Sequence, residues 1–90
     1  MFNNTELQEI ELQDTKIQTE KPKNLVLYND DVNTFEFVTD SLIKVCRHDS
    51  LQAEQCTYLV HFAGRSAVKT AHLKKLKPMC EALLERGLTA

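Results

Sequence analysis

Glycine is almost missing from this chain. Of 90 residues only Gly64 and Gly87 are glycine, and neither falls in a GxGxxG, P-loop or GxSxG arrangement. A loop that cradles phosphate on backbone amides is thereby excluded. Tryptophan is absent and proline occurs twice, at Pro22 and Pro78. Three cysteines, Cys46, Cys56 and Cys80, are an odd number at wide, irregular spacing. That excludes full intrachain pairing and any CxxC site, and it fits a reducing cytoplasm. No run approaches the roughly 18 apolar residues of a membrane span. The start, MFNNTELQEIELQD, has neither the basic beginning nor the apolar stretch of a secretory leader. At 42% hydrophobic and 27% charged, the composition is that of one small globular domain.

What charge there is lies unevenly. The formal net charge is only −2, so a general affinity for nucleic acid is not expected. Residues 25–64 carry six acids and two bases, whereas residues 65–90 carry six bases and two acids. An acidic middle suits a cationic ligand and a basic end suits a phosphate or an acidic partner. A solvated surface of mixed sign meets the same counts.

Residues 1–23 are rich in Asn, Gln, Thr, Glu and Lys, and read as a flexible tail ahead of a domain over 24–90. Leu25-Val26-Leu27-Tyr28, between Pro22 and Asn29-Asp30-Asp31, reads as a buried strand running into a polar turn. Asn33 and Glu36 have the spacing of a capping box, with Asn33 as N-cap of a helix reaching about Arg47 through Phe35, Val38, Leu42 and Val45. Ser50 is placed to cap a second helix, carrying Ala53, Cys56, Val60 and Ala63 and stopped by Gly64. Arg65–Thr70 alternates as a second strand does. His72–Arg86 repeats helically, with a kink or a fresh helix start expected at Pro78. Leu88-Thr89-Ala90 opens a third strand. The order β-α-α-β-α-β predicts an α+β domain, with helices on one face of a small antiparallel three-stranded sheet.

Two places can carry chemistry. Asn29-Asp30-Asp31 follows a strand and precedes a cap, so its oxygens either build the turn or face a bound ammonium. A calcium loop would need further alternating ligands and a glycine at the bend. His61 shares a helix face with Thr57 and sits between apolar Val60 and Phe62, where an imidazole wants a partner or a pocket. The histidines and cysteines have no zinc-like spacing, so neither metal nor other cofactor is expected. A Cys46 or Cys56 nucleophile paired with His61 has no local motif behind it.

The stretch LVLYNDDVNTFEFV (25–38), followed by Ala53-Glu54-Gln55 and Val60-His61-Phe62-Ala63-Gly64, resembles the two linked signatures of the ClpS family. The resemblance spans about residues 23–88 and is strongest over 25–65. It implies the fold shared with a ribosomal stalk protein's C-terminal domain. The implied function is that of a non-catalytic adaptor handing N-degron substrates to the AAA+ unfoldase ClpA for degradation by ClpP. Carried over residue by residue, it implies that Asn29, Asp30 and His61 bind the substrate's α-amino group, with Asp31 supporting the turn or adding negative field. Phe35, Val38, Thr57 and Val60 would line the pocket for the first side chain. Partners would then be the unfoldase and N-terminal peptides, with no nucleic acid or membrane, and the protein a cytoplasmic monomer. Lys74, Lys75 and Lys77 are candidates for docking to the unfoldase, and residues 1–23 look like the extension that engages it. The chain departs from the family in having Phe35 and Thr57 where methionine is common, and Thr34 where proline is. The family's last strand normally continues past the position of Ala90, so the third strand is expected to be cut short. The alternative is an interaction domain of the same fold that binds no N-degron.

Overall fold

A computed structural model describes residues 21–90, so the tail expected over 1–23 lies outside the description except for its last three residues. Strand β1 (Lys23–Tyr28) pairs antiparallel with β2 (Arg65–Ala71), from Lys23 opposite Ala71 to Tyr28 opposite Arg65. Between Leu25 and Val26 the partner steps from Lys69 to Ala67, leaving Val68 as an extra, bulged residue. Leu25 and Leu27 are buried with Val26 half-buried between them, so one sheet face meets the helices and the other meets water.

Helices α1 (Phe35–Cys46), α2 (Ser50–Ala63) and α3 (Leu73–Glu85) cover that face. They contribute Val38, Leu42, Cys46, Ala53, Val60, Leu76 and Leu83 to the core, which Leu25, Leu27, Val68 and Leu88 complete. Fully enclosing a leucine such as Leu27 or Leu42 stabilises the fold by roughly 1.5–3 kcal/mol. The α+β class and the order of the first five elements, β-α-α-β-α, agree with the sequence reading. The third strand does not form: Thr89 makes one isolated bridge, its carbonyl accepting from the Tyr28 amide at 2.8 Å. The sheet therefore has two strands.

Both expected caps move by one residue. Thr34, not Asn33, caps α1, its hydroxyl accepting from the Phe37 amide at 3.1 Å. Asp49, not Ser50, caps α2, its carboxylate accepting from the Gln52 amide at 2.8 Å. All four side chains can cap, so local chemistry does not choose between neighbours. Helix α3 starts at Leu73 and runs through Pro78 without interruption. Pro78 faces solvent, so the bond it cannot donate leaves the Lys74 carbonyl free to be hydrated. Arg86, just past α3, ties that helix to α1. It donates to Ser41 Oγ at 2.8 Å and Asp40 Oδ2 at 3.1 Å, and lies 5.0 Å from the centre of the Phe37 ring.

Gly64 ends α2 at φ 90°, and its amide donates to the Val60 carbonyl. A Cβ there would meet nothing within 4 Å, so only the backbone conformation resists substitution. Gly64→Ala is expected to destabilise the domain by about 1–2 kcal/mol, the cost of a left-handed non-glycine residue. Urea unfolding checks this, and an unchanged midpoint would mean that the turn relaxes to another conformation.

Candidate functional site

The turn after β1 is organised by one carboxylate. Asp30 Oδ1 accepts from the Val32 amide at 2.9 Å and the Asn33 amide at 2.8 Å, while Oδ2 accepts from Asn33 Nδ2 at 2.9 Å. The second amide hydrogen of Asn33 goes to the Gly87 carbonyl at 2.9 Å, which explains why Asn33 does not cap α1. The two Asn33 bonds and the Val32 bond, helped by the nearby His61 imidazole, hold the Asp30 carboxyl below the ordinary carboxylate range. Asn29 is exposed, and its backbone amide donates to the Gly64 carbonyl at 3.0 Å. That bond fastens the turn to the end of α2, the helix that carries His61. Asp31 is exposed, and its carboxylate takes no hydrogen bond among the described residues.

His61 is half-buried. Its Nδ1 lies 3.2 Å from the Thr57 carbonyl, and since a carbonyl only accepts, Nδ1 carries the hydrogen. Whenever the ring is neutral, that leaves Nε2 as its lone-pair acceptor. The half-buried Phe35 ring is tilted against it, with centres 5.5 Å apart. Asn29, Asp30, His61 and Phe35 are thus held together by the end of β1, the start of α1 and the end of α2.

The other pocket residues are placed differently. Val38, Thr57 and Val60 have relative exposures of 4%, 0% and 1%, so they present almost no surface to a ligand. Thr57 donates to the Ala53 carbonyl at 2.8 Å, and Thr39 Oγ1 lies 3.0 Å from its oxygen. Two open hollows border Phe35. One of about 460 Å³ is lined by Phe35, Leu51, Glu54, Gln55, Tyr58 and Leu59, and a second of about 320 Å³ shares Phe35 and Glu54. Leu51, Tyr58, Leu59 and Phe62 are exposed, with the Tyr58 and Phe62 rings stacked at 4.3 Å. The sequence reading missed this surface. Its signal is that α2 has apolar residues on two faces, of which only one can enter the core.

Nucleophilic chemistry finds little support. Burial pushes the Cys46 thiol up to about 11 despite nearby Lys69, and burial likewise raises Cys56. Among the described residues no three His, Cys, Asp or Glu side chains gather as metal ligands.

Residues 18–90 match the family model described as ATP-dependent Clp protease adaptor protein ClpS. The chain belongs to the ClpS family. Among solved structures it is similar to Agrobacterium tumefaciens ClpS2 bound to L-phenylalaninamide, at 27% identity and a TM-score of 0.64. That likeness covers 77% of this chain and 90% of the other. As a ClpS-family adaptor the chain has the Clp protease as its partner system. Among its described residues no helix is long and apolar enough to cross a membrane.

Proposed function

We propose that this ClpS-family chain recognises the free α-amino group and large apolar first side chain of N-degron substrates, delivering them to a ClpA-type AAA+ unfoldase for degradation by ClpP. The observation that carries the reading is the pairing of an ionised carboxylate with an imidazole acceptor at one turn. Asp30 has three of about four carboxylate lone-pair positions filled by the turn, leaving one for an incoming donor. His61 Nε2 supplies a second acceptor and the Asn29 side-chain carbonyl a third. An α-amino group, with a pKa near 8, is mostly an ammonium with three donors at neutral pH. A carboxylate about 4 Å away contributes about 4 kcal/mol of gross attraction at an effective dielectric of 20. Burying a first-position Leu or Phe adds roughly 1.5–3 kcal/mol. Micromolar binding, near −8 kcal/mol, follows once desolvation and ordering are subtracted.

The phenylalaninamide held by ClpS2 is a small molecule with these two features, a free α-amine and a large apolar side chain. In this chain the first side chain enters between Phe35, Val38, Thr57 and Val60. Because the last three are covered, entry requires the half-exposed Phe35 ring to swing aside. The protein acts as a cytoplasmic monomer, and the exposed Lys74, Lys75 and Lys77 on α3 offer the unfoldase a basic docking face. The covered pocket also favours a second reading, an interaction domain of this fold that binds no N-degron.

Fluorescence polarisation separates the two. Decapeptides beginning Leu, Phe, Tyr, Trp, Arg or Ala are compared with a free and an acetylated N-terminus. Binding of large apolar starts that vanishes on acetylation is expected. Indifference to acetylation, or no binding by any free peptide, would favour the second reading.

A further inference from the structure

The Asp30 oxygen that still has room for a ligand is held by one side chain. Oδ1 takes the local amides of Val32 and Asn33, whereas Oδ2 takes, among the described residues, only Asn33 Nδ2. The same nitrogen donates its other hydrogen to the Gly87 carbonyl at 2.9 Å. Carboxylate and carbonyl oxygens only accept, so the half-buried Asn33 amide fits between them one way round, with Nδ2 toward both. The second tether is itself fixed. Gly87 follows α3 at φ 88°, its amide donating to the Leu84 carbonyl and the Leu88 amide to that of Leu83, a pairing that closes the helix end. Arg86 on one side reaches Ser41 and Asp40 of α1, and Leu88 on the other is buried in the core. Thr89 then accepts from the amide of Tyr28, the residue before Asn29. Residues 86–89 thus brace α1, the Asp30 turn and the end of β1, and Asn33 links that brace to the carboxylate.

We infer that Asn33 is a positioning residue of the amine site, presenting Asp30 Oδ2 to the incoming ammonium and anchoring it to the end of α3 through the Gly87 carbonyl. This rests on the α-amine reading above and adds the group that orients its carboxylate. A hydrogen bond weakens steeply once donor and acceptor are misaligned, so the direction of Oδ2 matters as well as its charge. Asparagine suits the task because one nitrogen carries two hydrogens in a plane, one for each acceptor. A hydroxyl at this position would have one proton for the two. The Asn33 bonds are also the largest causes of the low Asp30 pKa, with the His61 imidazole adding a smaller part from α2.

The test titrates a Leu-initiated decapeptide, free or acetylated, into the full chain, Asn33→Ala, Asp30→Asn and the double variant, well below every Tm. Asn33→Ala is expected to weaken the free peptide about three- to tenfold, the loss of direction in one charge-assisted hydrogen bond. Since Asn33 acts through Asp30, adding Asn33→Ala to Asp30→Asn should cost about twofold or less. The Asp30 carboxyl carbon, followed by nuclear magnetic resonance, should titrate at higher pH in Asn33→Ala than in wild type, which a merely structural role would not produce. Wild-type binding that ignores acetylation, or no binding at all, would overturn the α-amine reading and this inference with it. Acetylation-sensitive binding by the wild type together with undiminished affinity in Asn33→Ala would overturn the inference alone. So would an unmoved Asp30 titration, or losses that add fully in the double variant, the mark of a direct contact between Asn33 and the peptide. Should Asn33→Ala fold poorly, Asn33→Leu, similar in shape without the amide, takes its place with the same expected and overturning results.

Discussion

Asp30→Asn is expected to weaken binding of a Leu- or Phe-initiated peptide at least tenfold while leaving the domain folded. The substitution keeps an oxygen able to accept from the Val32 and Asn33 amides, but it turns the group that meets Asn33 Nδ2 into a second donor. One turn hydrogen bond is lost, worth about 1 kcal/mol, or about 4–8 °C in Tm for a domain of this size. What the substrate loses is larger, because the negative charge that complements its ammonium is gone. The sign in pH follows from the lowered pKa of Asp30. The carboxylate's contribution to stability is complete above its unfolded pKa and is lost as pH falls through the lower, folded one. The stability gap between wild type and variant should therefore be full at neutral pH and close only in strong acid. Calorimetric titration with the peptide, alongside thermal melts at several pH values, measures both effects. Undiminished affinity in Asp30→Asn would remove Asp30 from the amine site and leave it a turn residue.

Thr57→Met carries the other large effect, and it is an effect on packing first. Methionine is common at this position in the family, yet here the side chain is fully enclosed. Its hydroxyl donates to the Ala53 carbonyl, and Thr39 divides its own proton between the Thr57 oxygen at 3.0 Å and the Phe35 carbonyl at 2.9 Å. Methionine would add volume to a closed space and remove the oxygen that Thr39 meets. A loss of about 1–3 kcal/mol in stability is expected from overpacking. For peptides measured below the lowered Tm, the ranking should narrow toward smaller first residues, since the longer side chain takes space the substrate's side chain would use. Thr57→Val, close to isosteric, separates the two contributions by removing only the hydroxyl. A methionine variant as stable as wild type would show that the space beneath Phe35 is already open.

The element order was legible because its signals are local: a polar turn after an apolar run, helical spacing, and a glycine where a helix stops. What escaped the sequence reading depends on contacts across the chain. Asn33 has every property of a cap, but Asp30 and the Gly87 carbonyl claim its amide, and Thr34 takes the role. Leu88-Thr89-Ala90 has strand-like composition, yet Thr89 meets β1 only at Tyr28 while Leu88 turns into the core. The candidate site was legible in part. Asn29, Asp30, His61 and Phe35 are brought together, while Val38, Thr57 and Val60 lie beneath the surface. Residue matching preserves position along a helix and says nothing about how tightly neighbours close over it. The exposed row on α2 was invisible for a related reason, since two apolar faces leave helical periodicity undecided about which faces inward.

The bond from Asn33 to Gly87 joins residues 54 apart in the chain. Closing so long a loop costs conformational entropy that the turn-to-turn bonds within a helix avoid. Helices and the short-range Asp30 turn can form early in folding, but the long-range contact holding that turn against the end of α3 belongs among the late steps. A refolding chain would thus regain helical signal before this turn is locked in place, and under the proposed function the capture of a free amine would report completed folding.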